Sequence, residues 1–188
     1  MARMKVVVCV TGASGAPYAY RFMEILRQAK CETTLVVSKS AGYILDEELS
    51  GGGKSLLKLA TEVLDNSDLS GWPASGSRKF DAVVIVPCSA STMAKISVGI
   101  ADNLITRAAS VALKERRRLI IVPRETPLSL PMIEAMRSIT LAGGVILPAM
   151  PAFYHKPNDI SDLVNFVASR IASSIGIEAK GAPKWSPK

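Results

Sequence analysis

Residues 5–17 read Lys-Val-Val-Val-Cys-Val-Thr-Gly-Ala-Ser-Gly-Ala-Pro: an apolar run, a glycine-bearing turn, and a proline that suits a helix start. The continuous Val-rich run over Lys5–Val10 is the pattern of a strand buried on both faces. Glycines in the turn let the backbone approach a ligand, and the helix that follows presents free N–H groups to an anion. Pro17 fits the first helical turn, where no N–H is needed. Working outward, further strands are predicted at Thr33–Val37, Ala82–Val86, Leu119–Val122 and Gly144–Leu147. Helices are predicted at 15–29, 39–48, 54–64, 90–98, 103–117, 129–142 and 159–175. This alternation implies an α/β fold: a doubly wound, mostly parallel sheet with helices on both faces. The polar segment 65–79 is long enough to be a lid or an interface loop. A chain of 188 residues suits one domain, taken as 1–175, followed by a tail over 176–188.

Composition narrows the class. Hydrophobic residues make up 48% and charged residues 21%, as in ordinary globular proteins. No apolar run of about 18 residues is present to span a membrane. The apolar stretch after Met1–Lys5 is too short for a signal peptide, so the chain reads as cytoplasmic. The net charge of +7 attracts anions, but aromatics at 5% offer little for stacking bases, which argues against nucleic acid. Cys9, Cys31 and Cys88 lack metal-ligand spacing and read as buried reduced thiols. The single histidine, His155, excludes a His-rich metal site.

The motifs point to phosphate chemistry. The first turn is not the Gly-x-Gly-x-x-Gly of dinucleotide sites, and Ser38-Lys39 stands where such a site carries an acid, so a mononucleotide fits better. Gly53-Lys54-Ser55 is no P-loop, because Glu48 occupies the required glycine position and no strand precedes it. Ser89, Ser91 and Thr92, after the strand Ala82–Val86, set hydroxyls at a helix start, either to cap it or to hold a phosphate. The run Leu119-Ile-Ile-Val-Pro-Arg-Glu-Thr126 ends a buried strand on Arg124 and Glu125, which form an ion pair or face a ligand. Strand C-termini are where such sheets build sites. Arg107 and Lys114, seven residues apart, share a helix face. Phe153-Tyr154-His155, in a loop bounded by Pro151 and Pro157, suits a pocket wall. Arg170 flanks the apolar stripe of the last helix. Together Arg107, Lys114, Arg124 and Arg170, with Tyr154, compose a candidate phosphate clamp. With no Asp-Asp-x-x-Asp run to hold Mg²⁺, direct recognition of a monophosphate without metal is expected.

With those residues in view, the chain resembles the UbiX/Pad family of flavin prenyltransferases, within the flavin-dependent cysteine decarboxylase fold group. The resemblance rests on Thr11–Gly15, Val37-Ser38-Lys39, Pro73–Ser77, Pro87–Thr92, Asn103–Arg118, Val122–Pro127 and Pro148–Pro157. It implies a Rossmann/flavodoxin-like fold and transfer of a dimethylallyl group from dimethylallyl monophosphate to reduced FMN, at N5 and then C6. The product, prenylated FMN, would serve a UbiD-type decarboxylase. It implies FMN contacts at Gly12, Ala13, Ser14, Ser38, Ser89, Ala90, Ser91, Thr92 and Arg124. The allylic phosphate would meet Arg107, Lys114, Tyr154 and Arg170, with Ser14, Glu48 and Glu125 handling protons. Glu47 competes with Glu48 for its place. The family also implies a homo-oligomer, commonly a dodecamer, with sites at subunit junctions. Trp72 is a candidate lid over the prenyl group, and in the tail Lys184-Trp185 stands where the family commonly carries arginine-tryptophan, a departure from its pattern.

Overall fold

The computed structural model describes residues 3–182, so the expectation for Lys184-Trp185 lies outside the described residues. The described strands are β1 (Lys5–Val10), β2 (Glu32–Val37), β3 (Glu62–Asp65), β4 (Ala82–Cys88), β5 (Arg118–Pro123) and β6 (Val145–Ile146). They form one sheet in the order β3-β2-β1-β4-β5-β6. Every pairing is parallel. This is the doubly wound order, and the topological switch point lies between β1 and β4.

The helices are α1 (Ala16–Gln28), α2 (Lys39–Glu48), α3 (Gly52–Leu57), α4 (Ala90–Ser97), α5 (Leu104–Lys114), α6 (Leu130–Leu141) and α7 (Ile160–Ser174). Alternate residues of the central strands divide the core in two. Val6, Val8 and Val10 face α1, α2 and α7, where Phe22, Leu45 and Ile171 fill the layer. Val7, Cys9, Val83 and Ile85 face α4, α5 and α6, where Met93, Ile105 and Ile139 do the same. Both faces of β1 and β4 are therefore dry, which is why their sequences run apolar without alternation.

The structure corrects three expectations. The helix predicted over 54–64 ends at Leu57, and Glu62–Asp65 instead pairs along the open edge of β2. Val63 is 47% exposed. An edge strand with a solvated face carries no continuous apolar run, so its local pattern does not announce it. The segment 65–79 is not a free lid, because it is tied to α5 and the turn that follows it. Arg117 donates to the carbonyls of Gly76 and Arg78, and Arg107 Nε donates to Ala74 at 3.1 Å. Cys9 and Cys88 are buried as expected, and burial pushes both thiols up, but Cys31 is only partly covered.

Phe22 is fully buried between α1 and the sheet. Phe22→Ala is expected to cost about 3–5 kcal/mol of stability, read from the urea unfolding midpoint.

Candidate active site

The C-terminal ends of β1 and β4 meet at the switch point, and Thr11 staples them together. Its hydroxyl donates to the Pro87 carbonyl at 3.0 Å and accepts from Ser89 N–H at 2.7 Å. Thr11 is 1% exposed. The sequence reading gave it no role; its signal was a polar residue placed directly after a buried strand.

Around this staple lies a ring of hydroxyls and amides. Ser38 caps α2, accepting from Ala41 N–H at 3.2 Å, and its hydroxyl is 3.2 Å from that of Ser40. Ser89 caps α4 and lies 3.0 Å from the Thr92 hydroxyl, with Ser91 within 3.4 Å. Gly12 packs tightly on the first turn of α2: a Cβ there would come 2.4 Å from Ser40 Oγ. Only glycine permits that approach, which adds Ser40 to the cradle. Gly12, Ala13, Ser14, Ser38, Ser89, Ala90, Ser91 and Thr92 are thus brought to one end of the sheet. Hydroxyls and first-turn amides of two helices suit the phosphate and polar edge of a mononucleotide, so the residues present fit FMN.

The α1 start departs from expectation. Its free N–H groups do not await an anion, because Glu48 has taken them. Glu48 Oε2 accepts from both Gly15 and Ala16 at 2.8 Å. Gly15 adopts φ 122°, open to glycine, and the carboxylate does the work a capping side chain would do. Burial pushes the Glu48 carboxyl up, but the Ser14 hydroxyl, the two amides and the Arg124 charge together outweigh it and hold it below its usual value. Glu48, not the exposed Glu47, is therefore the acid that reaches the turn. Arg124 joins the same cluster, its Nε donating to the Ser14 carbonyl at 3.1 Å. It forms no ion pair with Glu125, whose carboxylate turns back to accept from Thr126 N–H at 3.1 Å. Arg124 and Glu125 line a cavity of about 300 Å³ with Leu128, Met136 and Met150.

The remaining cations lie elsewhere on the chain. Lys114 ends α5, pairs with Glu115 and lies beside Gly76, where a Cβ would come 2.6 Å from Lys114 Nζ. Arg107 is two turns back on the same helix and flanks the same segment. Arg170 is exposed on α7, on the other face of the sheet. One turn before it, Phe166 stacks on His155 at 5.5 Å and meets Tyr154 edge-on at 5.9 Å. Within one chain, Lys114 thus lies at the opposite end of β5 from Arg124 and on the opposite face of the sheet from Arg170. Trp72 is no lid within the chain. Its indole donates to Glu62 at 2.8 Å and packs on Phe80 near the N-terminal end of β4.

Comparison with known proteins agrees with this architecture. Residues 1–172 match the Flavoprotein family. The flavin prenyltransferase UbiX of Methanocaldococcus jannaschii is 45% identical over 182 residues, covering 97% of this chain and 98% of that protein.

The chain belongs to the UbiX flavin prenyltransferase family.

The crystal structure of AnUbiX (PadA1) in complex with FMN and dimethylallyl pyrophosphate superposes with a TM-score of 0.97 at 38% identity, covering 100% of both chains. A dodecameric FMN-dependent UbiX-like decarboxylase from Escherichia coli O157:H7 superposes at 0.96 and 38% identity, covering 98% of this chain and 100% of that one. Among the described residues no helix is long and apolar enough to cross a membrane.

Since the Glu48 carboxyl is held below its usual 4.5, its ionised form stabilises the fold at neutral pH. That contribution is lost as pH falls through the folded-state value. The melting-temperature gap between wild type and Glu48→Gln should be widest near neutrality and close in acid. A gap unchanged between roughly pH 7 and pH 3 would contradict the assigned contacts.

Proposed function

We propose that this chain, whose relatives are named flavin prenyltransferases, transfers a dimethylallyl group from dimethylallyl monophosphate to FMN. When bound and reduced, the flavin supplies the nucleophile, bonding at N5 and closing a ring at C6 to give prenylated FMN for a UbiD-type decarboxylase. The protein's own part is to bind, orient and stabilise charge. Gly12–Ser14, Ser38 and Ser89–Thr92 fix the flavin, a positioning task that lowers the entropic cost of bringing two reactants together.

Arg124 is the observation that carries this reading. One of its donors is spent on the Ser14 carbonyl. The rest of its guanidinium fork stands at the edge of the flavin cradle, placed for an anion. Cations there stabilise the negative charge that develops on a departing phosphate. Ser14 and Glu48 form the proton-handling pair best supported by geometry, because the Ser14 hydroxyl lies against a carboxylate held ionised. Glu125, which lines the adjoining cavity, is the alternative acceptor for the proton lost from C6.

Arg107, Lys114, Tyr154 and Arg170 are the proposed ligands of the donor's phosphate, and they act together only if copies of the chain meet. Lys114 precedes β5 and Arg124 follows it. A strand of six residues separates them by about 20 Å, while the sheet itself stands between Lys114 and Arg170. We therefore infer a homo-oligomer in which each donor site draws on more than one copy, consistent with the dodecameric relative.

Anaerobic incubation with reduced FMN and dimethylallyl phosphate should add one five-carbon prenyl unit to the flavin, read by mass spectrometry. An unchanged flavin mass would overturn the assignment. Lys114→Ala should keep FMN binding, measured by titration, and lose at least 100-fold in prenyl transfer, the scale on which single electrostatic contacts act.

A further inference from the structure

The outward face of α6 carries an order of side chains that a solvated helix has no use for. Its inward face, Met132, Ala135 and Ile139, is buried on the sheet. Directly opposite run Leu130, Glu134, Arg137 and Leu141, spaced four, three and four residues apart, which makes one straight stripe on a helix of 3.6 residues per turn. Leu130 is 69% and Leu141 72% exposed, and Ile133 beside them is 48% exposed. Among the described residues, neither Glu134 nor Arg137 forms an ion pair.

The stripe is complementary to itself when reversed. Two such helices laid antiparallel about a two-fold axis set Leu130 against the partner's Leu141 and Glu134 against the partner's Arg137, twice over. An isologous contact requires that each patch match its own inverse. The surroundings extend it. Val98 and Ile100, 72% and 48% exposed, line a groove of about 480 Å³ with Pro131, Glu134 and Ser138 along one flank of α6. Leu128 and Met136, on the other flank, belong to the cavity of Arg124 and Glu125. A ridge with leucines at its ends and a charged pair at its centre, set between two grooves, is the shape that ridge-into-groove helix packing fills.

We propose that α6 is a copy-to-copy interface: it pairs antiparallel with α6 of a second copy of this chain, through Leu130, Glu134, Arg137 and Leu141. The proposal rests on the homo-oligomer inferred above and names the face that builds it. The contact borders the Arg124–Glu125 cavity, so it also sets how neighbouring copies approach the candidate site.

Native mass spectrometry of the FMN-loaded full-length chain tests this. Leu130→Asp with Leu141→Asp should reduce the assembly mass at least two-fold. Glu134→Arg alone and Arg137→Glu alone should do the same, and the combined charge exchange should restore the wild-type mass. All four side chains are solvent-exposed in the single chain, so circular dichroism should stay that of the folded protein. Wild-type mass in the leucine double variant would overturn the interface. A charge exchange no better than either single reversal would overturn the antiparallel register. The readout is independent of chemistry: a correctly sized but inactive assembly would sink the proposed function and leave this contact standing.

Discussion

All six strands among the described residues run in the same direction, and that constraint decides what each functional side chain can reach. A parallel sheet delivers every strand-to-helix turn to one end. Thr11–Gly15, Ser38, Ser89–Thr92 and Arg124 therefore converge there, although more than 100 positions of sequence separate the first from the last. The same constraint sends the ends of the returning helices to the opposite end. Lys114 must lie there because β5 begins four residues later. The chain cannot fold this way and also carry Lys114 to Arg124 within itself. Its basic surplus is thus divided into patches, which the proposed homo-oligomer would bring to bear on one phosphate.

Local electrostatics refine the end where the turns converge. A helix start offers unsatisfied N–H groups, and here they are answered from within by Glu48. The anion binder has been filled by the protein's own carboxylate. That carboxylate in turn holds Ser14 and balances Arg124. The proposed flavin cradle consequently relies on α2 and α4, whose capping serines set their hydroxyls at the turns. One helix start is closed by the chain's own carboxylate, while the other two carry the hydroxyls proposed to hold the flavin.

Most of the fold was legible because β1, β4 and β5 are dry on both sides, and a dry strand must be written as a continuous apolar run. The strand β3 was hidden for the opposite reason: its pairing with β2 exists only in the tertiary structure. The hydroxyl cradle could be read from serines and threonines placed directly after strands. The choice between Glu47 and Glu48 could not, since it depends on which carboxylate the end of α2 aims at Gly15. Trp72 misled because an aromatic in a long polar loop suggests a lid, whereas its indole finds Glu62 and Phe80 near the strand N-termini. Sequence position alone cannot say which end of a sheet a loop returns to. The separation of the four cations was likewise invisible until the strand directions were known.

The central claim is that the donor's phosphate is held by residues from different copies. Co-assembly of Lys114→Ala chains with Arg124→Ala chains tests it most directly, since each variant alone lacks one half of every site. If the halves come from different copies, random co-assembly in equal amounts regenerates about a quarter of the sites, and prenyl transfer returns to about that fraction of wild type. If both residues serve the site from one chain, every site in the mixture stays defective. Activity no higher than that of the separate variants would contradict the account.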